Sequence, residues 1–311
     1  MKTPEARRIF LLIIFSLVCL LPGSSEAQEN LSSNWWDSNR IIAKGHGSPP
    51  INAATPYEAR NLSRRAALLD GYRNLAGQVR GVHITAETTI ESQILSGDIV
   101  NSRVEAVIRD AEILSEEFAE DGSCTLVLSV PVFGVTDSLA TAVFKPVAKE
   151  EFPLPSVNNI AQGNYTGLII DCGNLNLNPV LSPVIRNADN LSIYSYSNLD
   201  YEKVISNGVV GYVKKDSGAT SLSQRKTSPL SYTELIDKKL FLLTSSTSGS
   251  NISRAGDNPL IIKAESLSDA GSCPVVSTSD ADRILAENQS SHFLDKGAVV
   301  FMSHRDGAIR I

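Results

Sequence analysis

The chain is 311 residues long, with 34 acidic residues against 28 basic ones, a net charge of −6 and an apolar fraction of 42%. An acidic chain without basic blocks is a poor partner for nucleic acid or for an anionic membrane surface. The ordinary apolar fraction excludes a disordered chain, and the length suits one large domain or two ordinary ones.

Lys2, Arg7 and Arg8 precede a strongly apolar run from Ile9 to Leu21, which Pro22-Gly23 break. Small residues at Ser25 and Ala27 set cleavage after Ala27. Residues 1–27 therefore read as a secretory signal peptide, its apolar core shorter than the ~20 residues of a spanning helix. Arg7-Arg8 is also compatible with a twin-arginine signal, although so apolar a core favours export of an unfolded chain. Cys19 lies in mid-core behind Val18, so no lipobox is present, and a mature protein without a stable membrane anchor is expected.

A first unit spans 35–148. Asn39 to Gly47 reads as a short strand running into a turn at Gly45-His46-Gly47-Ser48-Pro49-Pro50. Thr55, Pro56 and Glu58 then supply the cap, first-turn proline and capping-box carboxylate of a helix ending at Gly81. Its expected core stripe is Leu62, Ala66, Leu69, Tyr72, Ala76 and Val79, with Arg60, Arg64, Asn74 and Gln78 on the wet face. Alternation predicts a half-buried strand over Val82 to Ile90, with His83 on the solvent side, and a longer strand over Arg103 to Ala119. Asp121-Gly122 marks a hairpin turn into a strand from Cys124 to Val132, and Val135 to Phe144 reads as a second helix. The expected fold class is α+β, an antiparallel sheet with helices on one face.

Residues 149–163, with Pro153 and Pro155, read as a linker to a second, β-rich α+β unit over 164–311. Its strand candidates are Thr166 to Cys172, Val184 to Tyr194, Val209 to Val213, Pro259 to Ala264 and Ala298 to Ser303, with a helix capped by Ser279. A serine- and threonine-rich insertion at 214–258 surrounds a short helix candidate, Tyr232 to Leu243.

The first unit resembles a known family. Arg65-Ala66-Ala67-Leu68-Leu69-Asp70-Gly71-Tyr72-Arg73-Asn74-Leu75-Ala76, Thr88-Thr89, the Val100 to Ile113 segment, Glu120-Asp121-Gly122 and Val130-Pro131-Val132 are similar to the signatures of the LPP-twenty lipoprotein family, as is the N-terminal domain of the flagellar assembly protein FlgT. The likeness covers Arg40 to Gly134. Tyr165-Thr166-Gly167-Leu168-Ile169-Ile170-Asp171, Leu181-Ser182-Pro183 and Asn258-Pro259-Leu260-Ile261-Ile262-Lys263-Ala264 are similar to a region attached to that module in other exported bacterial proteins. The resemblance implies an α+β fold, a cell-envelope setting and a structural or assembly role, with no catalytic residues to carry over.

Catalytic signatures are missing: there is no Gly-x-Ser-x-Gly elbow, phosphate-binding loop, His-Glu-x-x-His or Cys-x-x-Cys, and His46, His83, His292 and His304 stand singly. Asp171 reads as a strand-end residue bonding nearby backbone, and Asp280 and Asp282 as helix-start acids. With Cys19 in the leader, Cys124 reads as a buried hydrophobe and Cys172 with Cys273 as a candidate disulfide in an oxidising compartment, left open because sequence cannot show Cα atoms within ~7 Å. Trp35-Trp36 are the candidate contact residues for a partner or ligand, one of them serving the core, and Arg60 with Arg64 form a stripe able to meet an acidic partner. The expectation is a non-enzymatic, exported periplasmic or envelope component without cofactor, metal or nucleic acid, acting on envelope proteins; the alternative is a ligand-binding protein with a glycan or peptide between its two domains.

Overall fold

The computed structural model of the chain describes residues 35–155, 161, 163–216 and 253–305. The expected signal peptide and the expected Tyr232–Leu243 helix lie outside the described residues. A short helix, α1 (Trp35–Ser38), leads into β1 (Arg40–Gly47). Then comes α2 (Pro56–Arg80), which begins where its capping residues place it: Thr55 Oγ1 accepts from the Glu58 amide at 3.1 Å, and Glu58 Oε2 accepts from the Ala54 amide at 2.8 Å.

Of the core stripe expected for α2, only Val79 is fully buried. Ser63, Ala67, Gly71, Leu75 and Val79 are buried at a spacing of four, while Leu62, Ala66 and Leu69 are exposed. The cause lies in β1. Gly45 and Gly47 lie within β1, as the expected Asn39–Gly47 strand has them, and the helix rests directly on them. A Cβ on Gly45 would lie 2.1 Å from the Ala67 carbonyl oxygen, and one on Gly47 2.1 Å from that of Ser63. At such a distance only small side chains fit between helix and strand, so size rather than hydrophobicity selects the buried face.

The expected strand Val82–Ile90 is a loop carrying a single bridge, His83 to Thr89, and Ile90 instead opens α3 (Ile90–Ser96). Thr89 and Ser92 cap each other reciprocally at 3.2 and 3.0 Å, and this local chemistry overrides the alternation. Arg103–Ala119 is likewise not one strand. Its first part completes α4 (Asp98–Arg109), which buries Val100, Val104 and Val107 at helical spacing, and only β2 (Glu112–Phe118) is extended. The Asp121-Gly122 turn, with Gly122 at φ 82°, returns the chain as β3 (Cys124–Pro131). The three strands form an antiparallel sheet in the order β1-β3-β2, with α2 on the face made by Ile41, Ala43, Gly45 and their partners Val130, Leu128 and Leu126. A short α5 (Leu139–Val143) closes this half.

The second half begins with β4 (Gly167–Gly173). The expected strand Val184–Tyr194 is two strands, β5 (Ile185–Asn187) and β6 (Ser192–Tyr194), folded back on each other where Asn187 Oδ1 accepts from the Leu191 amide at 2.8 Å. Next are α6 (Tyr201–Asn207), β7 (Gly211–Asp216), β8 (Pro259–Lys263), β9 (Ser266–Ser268), β10 (Cys273–Val276), α7 (Thr278–Ser291) and β11 (Val299–Arg305). Ser277, not Ser279, caps α7, its hydroxyl accepting from the Asp280 amide at 3.0 Å. Two four-stranded sheets result. One, ordered β7-β11-β4-β8, is parallel throughout; the other, β6-β5-β10-β9, is mixed. Antiparallel sheet with helices, then a second β-rich part: the fold is α+β.

One hydrophobic core runs through both halves, joining Leu128, Val130 and Leu139 to Leu168, Tyr194 and Phe293. Backbone hydrogen bonds cross the seam: Gly134 N–H to Ile205 O at 2.7 Å, Leu181 N–H to His83 O at 3.0 Å and Ser182 N–H to Ile84 O at 2.8 Å. The segment after α5 is fastened too, with Phe152 stacked on Tyr194 at 6.3 Å between centroids and Glu150 N–H bonded to Ser197 O at 2.8 Å. Among the described residues no helix is long and apolar enough to cross a membrane.

Candidate functional site

A cleft of about 600 Å³ opens at the seam, where α1 and Phe133 of the first half meet the amino ends of the parallel strands at Thr166, Gly211 and Ala298. The two tryptophans divide its work. Trp35 is buried and contacts Trp36, Phe133 and Tyr212 edge-on, at centroid distances of 5.7, 6.2 and 6.2 Å. It is thus a core residue of the seam, in the edge-to-face arrangement that aromatic rings prefer. Trp36, half-buried, lines the cleft, and Lys214 Nζ stands 5.0 Å from its ring centroid.

Local chemistry holds this wall. Asn39 sits at φ 56° and clamps Phe133 twice, accepting from its amide at 2.8 Å and donating to its carbonyl at 3.1 Å. Gly208, at φ 74°, leaves room for the Phe133 ring, which a Cβ there would meet at 2.7 Å. Beneath, Arg254 donates Nε to Gly297 O at 2.6 Å, Nη1 to Asn207 O at 2.7 Å, and Nη2 to Gly208 O and Val209 O at 2.7 and 3.2 Å. Asn207 and Gly208 are the carboxyl end of α6, so the guanidinium caps the negative end of that helix. Among the described residues no carboxylate pairs with Arg254; burial pushes its pKa down, and the nearby Tyr194 acts in the opposite sense.

Three cations, Lys203, Arg254 and Lys296, line the cleft, and none of its described lining residues is acidic. Lys203 is matched by Asp200 at 2.9 Å, whereas Lys296 Nζ donates to the Ser291 carbonyl at 3.1 Å. The site is therefore a preformed polar cleft with one indole wall and a positive floor.

The other candidate residues do not join it. Arg60 lies over the Phe118 ring at 4.2 Å, and Arg64 Nε pairs with Glu116 Oε1 at 2.9 Å, a hydrogen bond and charge that raise its pKa. Both arginines fasten α2 to β2. The candidate disulfide is not formed in the structure: Cys172 and Cys273 are buried free thiols, on β4 and β10 of different sheets. Cys273 Sγ accepts from the Val184 amide at 3.4 Å, and Cys172 Sγ faces Ile170 O at 3.9 Å. Asp171 accepts from the Gly173 amide at 2.8 Å, the local strand-end bond expected of it. His46 is exposed and His292 ends α7 at φ 55°. Among the described residues no group of three or more His, Cys, Asp or Glu could hold a metal ion. Sequence reasoning missed Lys203, Asn207, Arg254 and Lys296, because nothing local marks residues that meet only through the packing of α6, α7 and the strand ends.

Comparison with known proteins finds two matches along the chain. Residues 46–130 match the family model of the LPP20 lipoproteins, the LPP-twenty family, from the end of β1 to β3. Residues 167–305 match the model of the second domain of Treponema pallidum Tp0624, a span that runs from β4 to β11. The LPP20 match supports an exported, envelope-associated kind of protein. No curated protein matches the chain.

Proposed function

From a chain that joins an LPP20-type module to a Tp0624-type second domain, we propose a non-enzymatic component of the cell envelope that works by holding a ligand or partner segment in the seam cleft. The observation that carries this reading is the cleft itself: about 600 Å³, set between two modules that share one core, with Trp36 in its wall. Clefts of this size at module boundaries are where small ligands are most often bound. The backbone bonds across the seam favour a preformed site, so little ordering cost opposes binding. The local strand-end hydrogen bond of Asp171 supports the non-enzymatic part of this reading.

A second reading, assembly through a flat protein contact, is favoured by the outer stripe of α2, where Leu62 and Leu69 are 40% and 53% exposed. A photoreactive residue placed at position 36, and separately at position 69, separates the two in intact envelopes. Adducts confined to position 36 support the cleft; adducts confined to position 69 support assembly through the helix. Reproducible turnover of ester, phosphate or envelope-glycan substrates by the pure protein would overturn the non-enzymatic reading.

A further inference from the structure

The charge in the cleft is out of keeping with the chain around it. The protein as a whole is acidic, with 34 Asp and Glu against 28 Lys and Arg, yet the described lining holds three cations and no carboxylate. Two of those cations have no ion pair among the described residues: Lys296, whose Nζ donates to Ser291 O, and Arg254, which grips the carbonyl of Gly297, the residue following Lys296. A cation held in a half-buried setting without an ion pair carries a desolvation cost that a bound anion removes in part. Four of the five guanidinium hydrogens serve backbone carbonyls, leaving one on Nη1.

The remaining wall narrows the class of anion. The Asn207 side-chain amide, exposed on the cleft, makes no hydrogen bond among the described residues. It presents a donor and an acceptor side by side, the pattern that neighbouring hydroxyls satisfy. Trp36 offers apolar surface with a polar rim. The parallel strands reach the cleft by their amino ends, at Thr166, Gly211, Tyr212 and Ala298, so the edge strand β7 borders it with only its first two residues, too short a stretch for an extended peptide to pair along.

We propose that the seam cleft binds a carboxylate-bearing sugar unit, with Lys296 and Arg254 facing the carboxylate, Asn207 meeting the hydroxyls and Trp36 covering the ring. This rests on the cleft being the working site. The test is calorimetric titration of the mature chain, residues 28–311, with trigalacturonate, its neutral methyl ester and a pentapeptide of Asp and Glu, at low and high salt. The acid binds and the ester binds about tenfold more weakly, as loss of one charge-assisted contact requires. Lys296→Glu and Asn207→Ala weaken the acid by about tenfold or more while the melting temperature holds; both residues are exposed. Tighter binding of the peptide, or no binding of the acid, overturns the proposal. Equal binding of acid and ester, lost in Trp36→Ala, overturns the carboxylate alone and keeps the cleft. Binding untouched by Trp36→Ala and Lys296→Glu removes the cleft reading with it.

Discussion

Gly45 of β1 and Gly71 of α2 touch backbone to backbone: a Cβ on Gly45 would lie 2.3 Å from the Gly71 nitrogen and 2.6 Å from its Cα. Neither neighbour is a side chain that could swing away, so any larger residue must lift the helix from the sheet. Gly45→Ala is expected to destabilise the protein by about 1–3 kcal/mol or more, the range for overpacking a closed contact. Gly77, also in α2 but with nothing within 4 Å of a Cβ, is the control. Gly77→Ala should stabilise by ~0.5–1 kcal/mol through the helix preference for alanine. Urea denaturation of both variants checks the pair, and a neutral Gly45→Ala would sink the account of why α2 buries Ser63, Ala67 and Gly71.

That contact also shows what the sequence could and could not yield. The ends of α2 were readable because Thr55, Pro56 and Glu58 act on their own neighbours. Its buried face was not, since it depends on two glycines of another element, and a hydrophobic stripe through Leu62 and Leu69 competed for the reading. Alternation misled at Val82–Ile90 for a related reason, a Thr89–Ser92 cap that outbids the strand pattern locally. In the site, Trp35 and Trp36 stood out as rare residues. The cations did not, because Lys203, Arg254 and Lys296 come together only when α6, α7 and the strand ends pack.

Trp35 and Trp36 should separate by experiment. Trp35→Ala removes a buried ring that meets Phe133 and Tyr212, and is expected to cost about 3–5 kcal/mol. Trp36→Ala removes a half-buried cleft wall and should cost less than half as much, while abolishing whatever fluorescence change a cleft ligand produces. Thermal melts and ligand titrations of both variants decide it. Equal destabilisation would mean that both rings are core.

Arg254 gives a test of geometry against charge. Lysine keeps the positive charge at the end of α6 but cannot fork to Gly297, Asn207 and Gly208 together. Arg254→Lys should therefore lose about 1.5–3 kcal/mol, the scale of charge-assisted hydrogen bonds to buried partners. A lysine variant as stable as the native chain would show that charge at the helix end is all that matters there.

The three thiols bear on both redox state and alkaline stability. Cys124, Cys172 and Cys273 are buried and free, and burial, with Asp171 adding to it, pushes the Cys172 thiol up to about 12. In the unfolded chain a thiol ionises near ~8.5. A folded-state value raised in this way gives stability that is complete below the unfolded value and is lost as pH climbs toward the folded one. Denaturation midpoints should thus fall steadily above pH ~8.5, and Cys172→Ala should flatten that slope. At pH 8 the native mature chain should resist a thiol reagent, and the unfolded, unreduced chain should titrate three thiols. A count of one, restored to three by a reductant, would mean that Cys172 and Cys273 do pair after export, and that β4 and β10 approach more closely than their present contacts with Ile170 and Val184 allow.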